Sequence, residues 1–425
     1  MTVSRRAILR GAAAAAATGL APFPGLSRLL FAAAGESERI LVVLHLRGGC
    51  DGLNLLSPAS DQDFIEARNS DLRVAAEGAD AGHPISHVQA GAPEFRLHPS
   101  AGALVELAQG RHLAFVHAAG LIDTTRSHFV ATDMIEHGVA DSGALNRSPS
   151  GWLARALPSE QAPASSRVRA VSLSTSPSGA WSGNAGTISV ADLGNGLAVP
   201  GGPAAANVLQ ALYGAQGDLA GIREAGDLTL RAMQTIDARL SRDAHGKVEA
   251  YQPESGSNYD PAYELGRPLK TLAQLIKMDV GIRGATVDLG GWDTHEYQQG
   301  RFRNQVERLS QGLGAFYNDM ARYHDRITVV VITEFGRRLR SNRSNGTDHG
   351  RGSLMMALGG KVAGGRVLGS WPGLKSEQLE ESVDLAVAND YRQILTEALE
   401  QWRGTPDIAA IFPGFKRGPG LGLFA

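Results

Sequence analysis

Ile327 to Thr333 form an unbroken run of seven β-branched residues. Such a run suits a strand buried on both faces, because branching at Cβ favours the pleat and no polar face is left for water. It ends abruptly at Glu334-Phe335-Gly336, so a carboxylate stands at the carboxyl end of a buried strand. Two other apolar runs end the same way. Ile40 to Leu46 leads into Arg47-Gly48-Gly49-Cys50-Asp51-Gly52, and Gly284 to Leu289 leads into Gly290-Gly291-Trp292-Asp293-Thr294-His295. In open α/β sheets, ligands and catalytic groups collect at the carboxyl ends of strands, where loops escape the packing that holds the sheet.

Between these strands the apolar spacing becomes helical. Helices are expected over 102–109, from Ser127 onward, within 207–240, over 265–278 and 299–324, and within 384–402, where Asp390 is the expected N-cap. Further strands are expected at 112–118, 169–173, 187–190, 354–358 and 366–368. Strand and helix in alternation predict an α/β chain folded as a three-layer α/β/α sandwich with a mainly parallel central sheet. The stretch 140–270 is rich in Gly, Ser and Pro at its start and reads as an insertion or cap over the sheet edge.

Several side chains near the strand ends can carry chemistry. Asp51 is either a metal ligand or a turn-forming Asp-Gly. Asp293 and His295 are close enough in one loop to bind a single ion, or for the acid to orient the imidazole. Asp348-His349 lies between Thr347 and Gly350 in a polar loop beyond Glu334. Thr125 and Ser127 precede a helix whose free N–H groups and dipole stabilise negative charge, so each is a nucleophile or ligand candidate. Arg126 and His128 beside them are oxyanion or phosphate contacts in that reading, while helix capping accounts for Ser127 equally well.

The first 34 residues read as a targeting segment. Ser4-Arg5-Arg6-Ala7-Ile8-Leu9-Arg10 resembles a twin-arginine export signal; an alanine-rich stretch and Ala32-Ala33-Ala34, a small-residue cleavage site, follow. The expected mature protein is periplasmic or extracellular, with the twin-arginine translocase as its partner during export and no membrane span. Composition narrows the partners. The formal charge is −2, and the first 34 residues carry four arginines and no acid, so the remainder is more acidic still. Nucleic acid is therefore excluded as a partner, since phosphate binding needs a basic face. The single cysteine, Cys50, permits neither an internal disulfide nor a cysteine-based zinc site.

Taken in order, SRRAILRG, HLRGGCDGLNLLSP, TRSHF, GGWDTHEYQ, ITEFGRR and GTDHGRG resemble the motifs of an exported bacterial family known as domain of unknown function 1501. That family in turn resembles the alkaline phosphatase and sulfatase superfamily. The resemblance implies one or two divalent metals (zinc, manganese or calcium) held by Asp51, Asp293, His295, Glu334 and His349, with Ser127 or Thr125 as nucleophile. It departs from the superfamily pattern where Phe335 replaces a second-metal histidine and where Glu334 replaces an aspartate. The expected function is hydrolysis of a phosphate or sulfate ester by an exported metal-dependent enzyme; the alternative is a non-catalytic secreted binding or assembly protein on the same fold.

Overall fold

A computed structural model describes residues 39–78, 80–157, 168–199, 201–214 and 220–425; the expected export segment lies outside them. The strands are β1 (Ile40–Leu46), β2 (Leu56–Pro58), β3 (His83–His87), β4 (Phe95–Leu97), β5 (Leu113–Gly120), β6 (Ala170–Ser172), β7 (Thr187–Ser189), β8 (Gly284–Leu289), β9 (Ile327–Thr333), β10 (Ser353–Gly359), β11 (Arg366–Leu368) and β12 (Asn389–Asp390). The helices are α1 (Gly52–Leu55), α2 (Gln62–Ala67), α3 (Gly102–Gln109), α4 (His128–His137), α5 (Ser142–Leu145), α6 (Trp152–Ala156), α7 (Gly202–Gly214), α8 (Ala220–Asp237), α9 (Gly266–Lys277), α10 (Gln298–Asp319), α11 (Tyr391–Arg403) and α12 (Ile408–Ile411).

All twelve strands join one sheet in the order β2-β4-β3-β11-β5-β10-β9-β1-β8-β6-β7, with β12 beside β5. Because the pleat sends successive side chains to opposite faces, β1 and β9 each feed two cores. Val42, Leu44, Val329 and Val331 pack on one face with residues of α9 and α10. Leu41, Val43, Val330 and Ile332 pack on the other with residues of α4, α6 and α11. Each such side chain, fully buried, contributes about 1.5–3 kcal/mol, and a one-residue slip would exchange the two sets. The α10 stripe Phe302, Val306, Leu309, Leu313 and Phe316 repeats at the helical period, and all five are buried.

The sheet is mostly parallel but mixed. β10 runs antiparallel to both β5 and β9, and β4 runs antiparallel to β2 and β3. The cause at β10 is local. Between β9 and β10 the chain forms no helix, so it returns from the edge it has just reached instead of crossing over. The loop 334–352 consequently stays at the carboxyl end of β9. β2, β3 and β4 fall in a stretch that reads as connecting chain, since each is short and none has an uninterrupted apolar run. From the stretch 140–270, β6 and β7 extend the sheet beyond β8.

β1 lies between β8 and β9, and Leu46 is in register with both Leu289 and Thr333. The three strands therefore end level, and Arg47, Gly290 and Glu334 begin three adjacent loops. β5 runs in the same direction two places away, so the turn before α4 opens on the same edge.

Candidate metal centre

The loops after β1, β8 and β9 meet closely because two residues have no side chain. Gly48 has φ +119°, and a Cβ there would stand 2.6 Å from the backbone N of Asp293. Gly49 has φ +64°, and a Cβ there would stand 2.6 Å from the Phe335 ring. Non-glycine residues rarely adopt either conformation, so both space and backbone geometry require glycine. Across this junction lies Arg337, 1% exposed, whose Nε donates to Gly49 O (2.7 Å) and Nη1 to Thr347 O (2.9 Å). Its Nη2 pairs with Asp293 Oδ1 at 2.5 Å. One buried guanidinium thus ties together all three loops.

Beside it, three donors offered by His128, Asp293 and His349 face one another. His128 Nε2 lies 3.0 Å from His349 Nε2 and 3.6 Å from Asp293 Oδ1, and His349 Nε2 lies 3.2 Å from the same oxygen. Nitrogen and oxygen ligands about 2.0–2.1 Å from a tetrahedral zinc lie about 3.3–3.4 Å apart, so these separations fit three ligands of one ion. His295 adds a fourth donor on one side: its Nε2 is 2.9 Å from His349 Nε2 and 3.0 Å from Asp293 Oδ1.

The far nitrogen of each ring decides the chemistry. His128 Nδ1 is 2.7 Å from Glu334 Oε1, His295 Nδ1 is 3.1 Å from Asp348 Oδ1, and His349 Nδ1 is 2.9 Å from the Arg126 carbonyl oxygen. All three partners only accept, so each Nδ1 carries the hydrogen and donates it. The three Nε2 atoms then converge on one another and on a carboxylate, an arrangement that needs a positive charge among them, either an added proton or a metal ion. Charge points the same way. Asp293, Glu334 and Asp348 bring three carboxylates into direct contact with the rings, and Arg337 offsets one. The donor set therefore fits a divalent ion, with each histidine oriented by an outer hydrogen bond as metal-bound histidines are.

The ionisation of these acids is well protected. Burial alone would raise the Asp293 pKa, but the Arg337 hydrogen bond and charge outweigh it and hold the carboxyl at about 2. Burial likewise opposes ionisation of Glu334, which the hydrogen bond from His128 and the nearby His45 ring, 3.5 Å away, keep far below the usual carboxylate range. Glu334 in return raises the pKa of His128, while burial and the Arg337 charge lower that of His349.

Of the residues singled out from sequence, Asp293, His295, Glu334 and His349 come together, with Glu334 behind a ligand rather than facing the ion position. Asp51 does not join them. It is fully buried and forms a two-point ion pair with Arg68 (2.6 and 3.0 Å), and also accepts from Gln298 Nε2 (2.7 Å). These partners satisfy its oxygens, so it braces the loops instead of binding metal. Arg126 also points elsewhere: its guanidinium is held by Asp384 and Glu381, and only its carbonyl serves the site. An oxyanion role for that side chain is not what this geometry supports. Ser127 is the exposed N-cap of α4, yet its hydroxyl makes no cap bond, whereas Thr125 Oγ1 accepts from the Ser127 N–H at 3.2 Å.

Sequence reasoning underrated His128, which it took for an anion contact, and did not single out Arg337 or Asp348 for these roles. His128 had a signal: it opens a helix directly after a strand that ends at the same sheet edge. Phe335 lies with its ring centre 4.7 Å from that of His128 and 5.0 Å from that of His349, filling the space beside the donors. No helix among the described residues is long and apolar enough to cross a membrane. No curated protein and no solved structure matches the chain. One protein family does: that described as protein of unknown function (DUF1501) matches residues 38–410.

Proposed function

The chain belongs to the DUF1501 family, and from its site we propose that it is an exported, metal-dependent hydrolase of a phosphate or sulfate ester on an alkaline-phosphatase-like sandwich. One observation carries the reading: the Nε2 atoms of His128 and His349 and Oδ1 of Asp293 stand 3.0–3.6 Å apart with every ring oriented from behind. Three ligands and an open side are the usual plan of a catalytic centre. Nitrogen-rich donors suit zinc better than calcium, with manganese between them. Such an ion, when bound, polarises an ester oxygen and acidifies a hydroxyl or water beside it.

The protein's own groups supply the rest. Glu334, Asp348 and the Arg126 carbonyl keep the Nδ1 protons in place, so Nε2 remains a donor. Ser127, with a hydroxyl not spent on its helix, is the nucleophile candidate at the start of α4, where the helix end stabilises developing negative charge. The twin-arginine segment supports export through the corresponding translocase to the periplasm or beyond. Phe335 favours one ion over two, because its ring takes up the space beside His128 and His349. The same residue is what favours the second reading, a secreted binding or assembly protein that keeps the ion without turnover.

Elemental analysis of the protein purified without chelator, with the Asp293→Ala variant alongside, tests the site, and a panel of aryl phosphate monoesters, phosphodiesters and aryl sulfates tests the activity. The hydrolase reading expects about one equivalent of transition metal, lost in the variant together with turnover. Metal without turnover of any substrate selects the binding protein. Absence of metal that cannot be added back ends the hydrolase reading and leaves a binding or assembly protein whose acids and histidines stabilise the loops.

A further inference from the structure

A cavity of about 440 Å³ opens beside α1, residues 70–75, Asp80 and the first turns of α10. Its wall includes Asn54, which is 4% exposed and whose side chain has no hydrogen-bond partner among the described residues. Its amide atoms are not sealed from solvent, so they open on the cavity. Arg303, one turn into α10, also lines the cavity and has neither an ion pair nor a hydrogen bond among the described residues. Arg73 lines the same cavity and gives only Nη1 to the Ile65 carbonyl, at 3.2 Å.

His98 contributes a further donor. Its Nδ1 accepts from the Ser100 N–H at 3.1 Å, which places the hydrogen of the neutral ring on Nε2. Burial, with the Arg303 charge, lowers its pKa to about 4, so the ring is neutral at physiological pH. The cavity wall includes Gln299 in the first turn of α10, where the helix dipole favours negative charge. Two carboxylates, Asp71 and Asp80, are also in the wall but are exposed. They disfavour a polyanion and leave room for a compact one whose remaining body is neutral.

We propose that this cavity binds a small molecule through a single oxyanion group, a phosphate, sulfate or carboxylate, received by Asn54, Arg73, His98 and Arg303. The site is separate from the histidine centre and does not depend on the hydrolase reading. Asn54→Asp preserves shape and places a negative charge where the anion would sit; Arg303→Gln removes an exposed cation with little risk to folding. Calorimetric titration of the full chain with inorganic phosphate, sulfate and acetate, at fixed ionic strength in chloride, is the test. The expected result is saturable binding of at least one of them, weakened tenfold or more in both variants and unchanged in His349→Ala. Binding that Arg303→Gln leaves intact, binding lost with His349→Ala, or no binding of any of the three anions would each overturn the proposal.

Discussion

Glu334 Oε1 lies 2.7 Å from His128 Nδ1 and also accepts the Gly48 N–H at 2.8 Å, so one buried carboxylate fixes both a ligand ring and the turn after β1. Glu334→Gln keeps the shape but turns an ionic acceptor into a neutral one. Metal affinity should fall about 10- to 100-fold, the usual effect of losing a partner behind a metal-bound histidine. Competition with a fluorescent chelator measures it, and unchanged affinity would remove Glu334 from the site.

Asp51 and Asp293 are both strand-end aspartates, yet their loss should differ in kind. Asp51→Ala leaves the fully buried Arg68 guanidinium with the Leu339 and Arg338 carbonyls but no counter-charge, and breaking such a buried pair costs about 3–5 kcal/mol. Urea unfolding should show that loss, while the folded fraction keeps its metal. Asp293 is half-exposed where Asp51 is buried, so Asp293→Ala should cost far less stability while losing the metal. The reverse pattern would exchange their roles.

Ser127→Ala separates nucleophile from cap. A capping serine contributes about 1 kcal/mol, but this hydroxyl makes no cap bond, so unfolding free energy should change by less than about 0.5 kcal/mol. Hydrolysis by the proposed nucleophile should fall by about 10²-fold or more. Activity that survives the substitution would transfer the role to water.

Acid should destabilise the fold through His117, which is remote from the metal ligands in role. Its ring is buried, Nε2 donates to Leu56 O at 2.9 Å and Nδ1 accepts the Ala118 N–H, so both nitrogens are engaged in the neutral form. Burial lowers its pKa from 6.5 to about 4. The unfolded chain therefore takes up the proton first as pH falls. The stabilisation is complete above about pH 6.5, declines between there and about pH 4, and amounts to about 3 kcal/mol in all. Unfolding titrations at pH 7 and 4.5 should show a smaller difference for His117→Gln than for the parent; equal differences would contradict the assignment.

The strands that build the site were legible because their cause is local. Ile327 to Thr333 is β-branched throughout, Gly284 to Leu289 is bounded by glycines, and the structure places both strands over those same residues. The Phe302 to Phe316 stripe of α10 is equally a property of neighbours along the chain. Short strands such as β3, with one buried residue in five, carry no such signal, because partners distant in sequence make them strands.

By itself, then, the sequence determined that acids and histidines stand at the ends of buried strands, since composition sets where a strand can run and where it must stop. Which of them share a site was decided by tertiary structure. The register of Leu46 with Leu289 and Thr333 levels three loops, and the antiparallel return of β10 keeps His349 at that edge. Arg68 and Gln298 reach Asp51 from elsewhere in the chain and draw it inward, while α4 delivers His128 to Glu334 across 206 residues of sequence. A carboxylate's role depends on whether a buried cation or an open lone pair is nearest to it, and that is a property of the packed molecule.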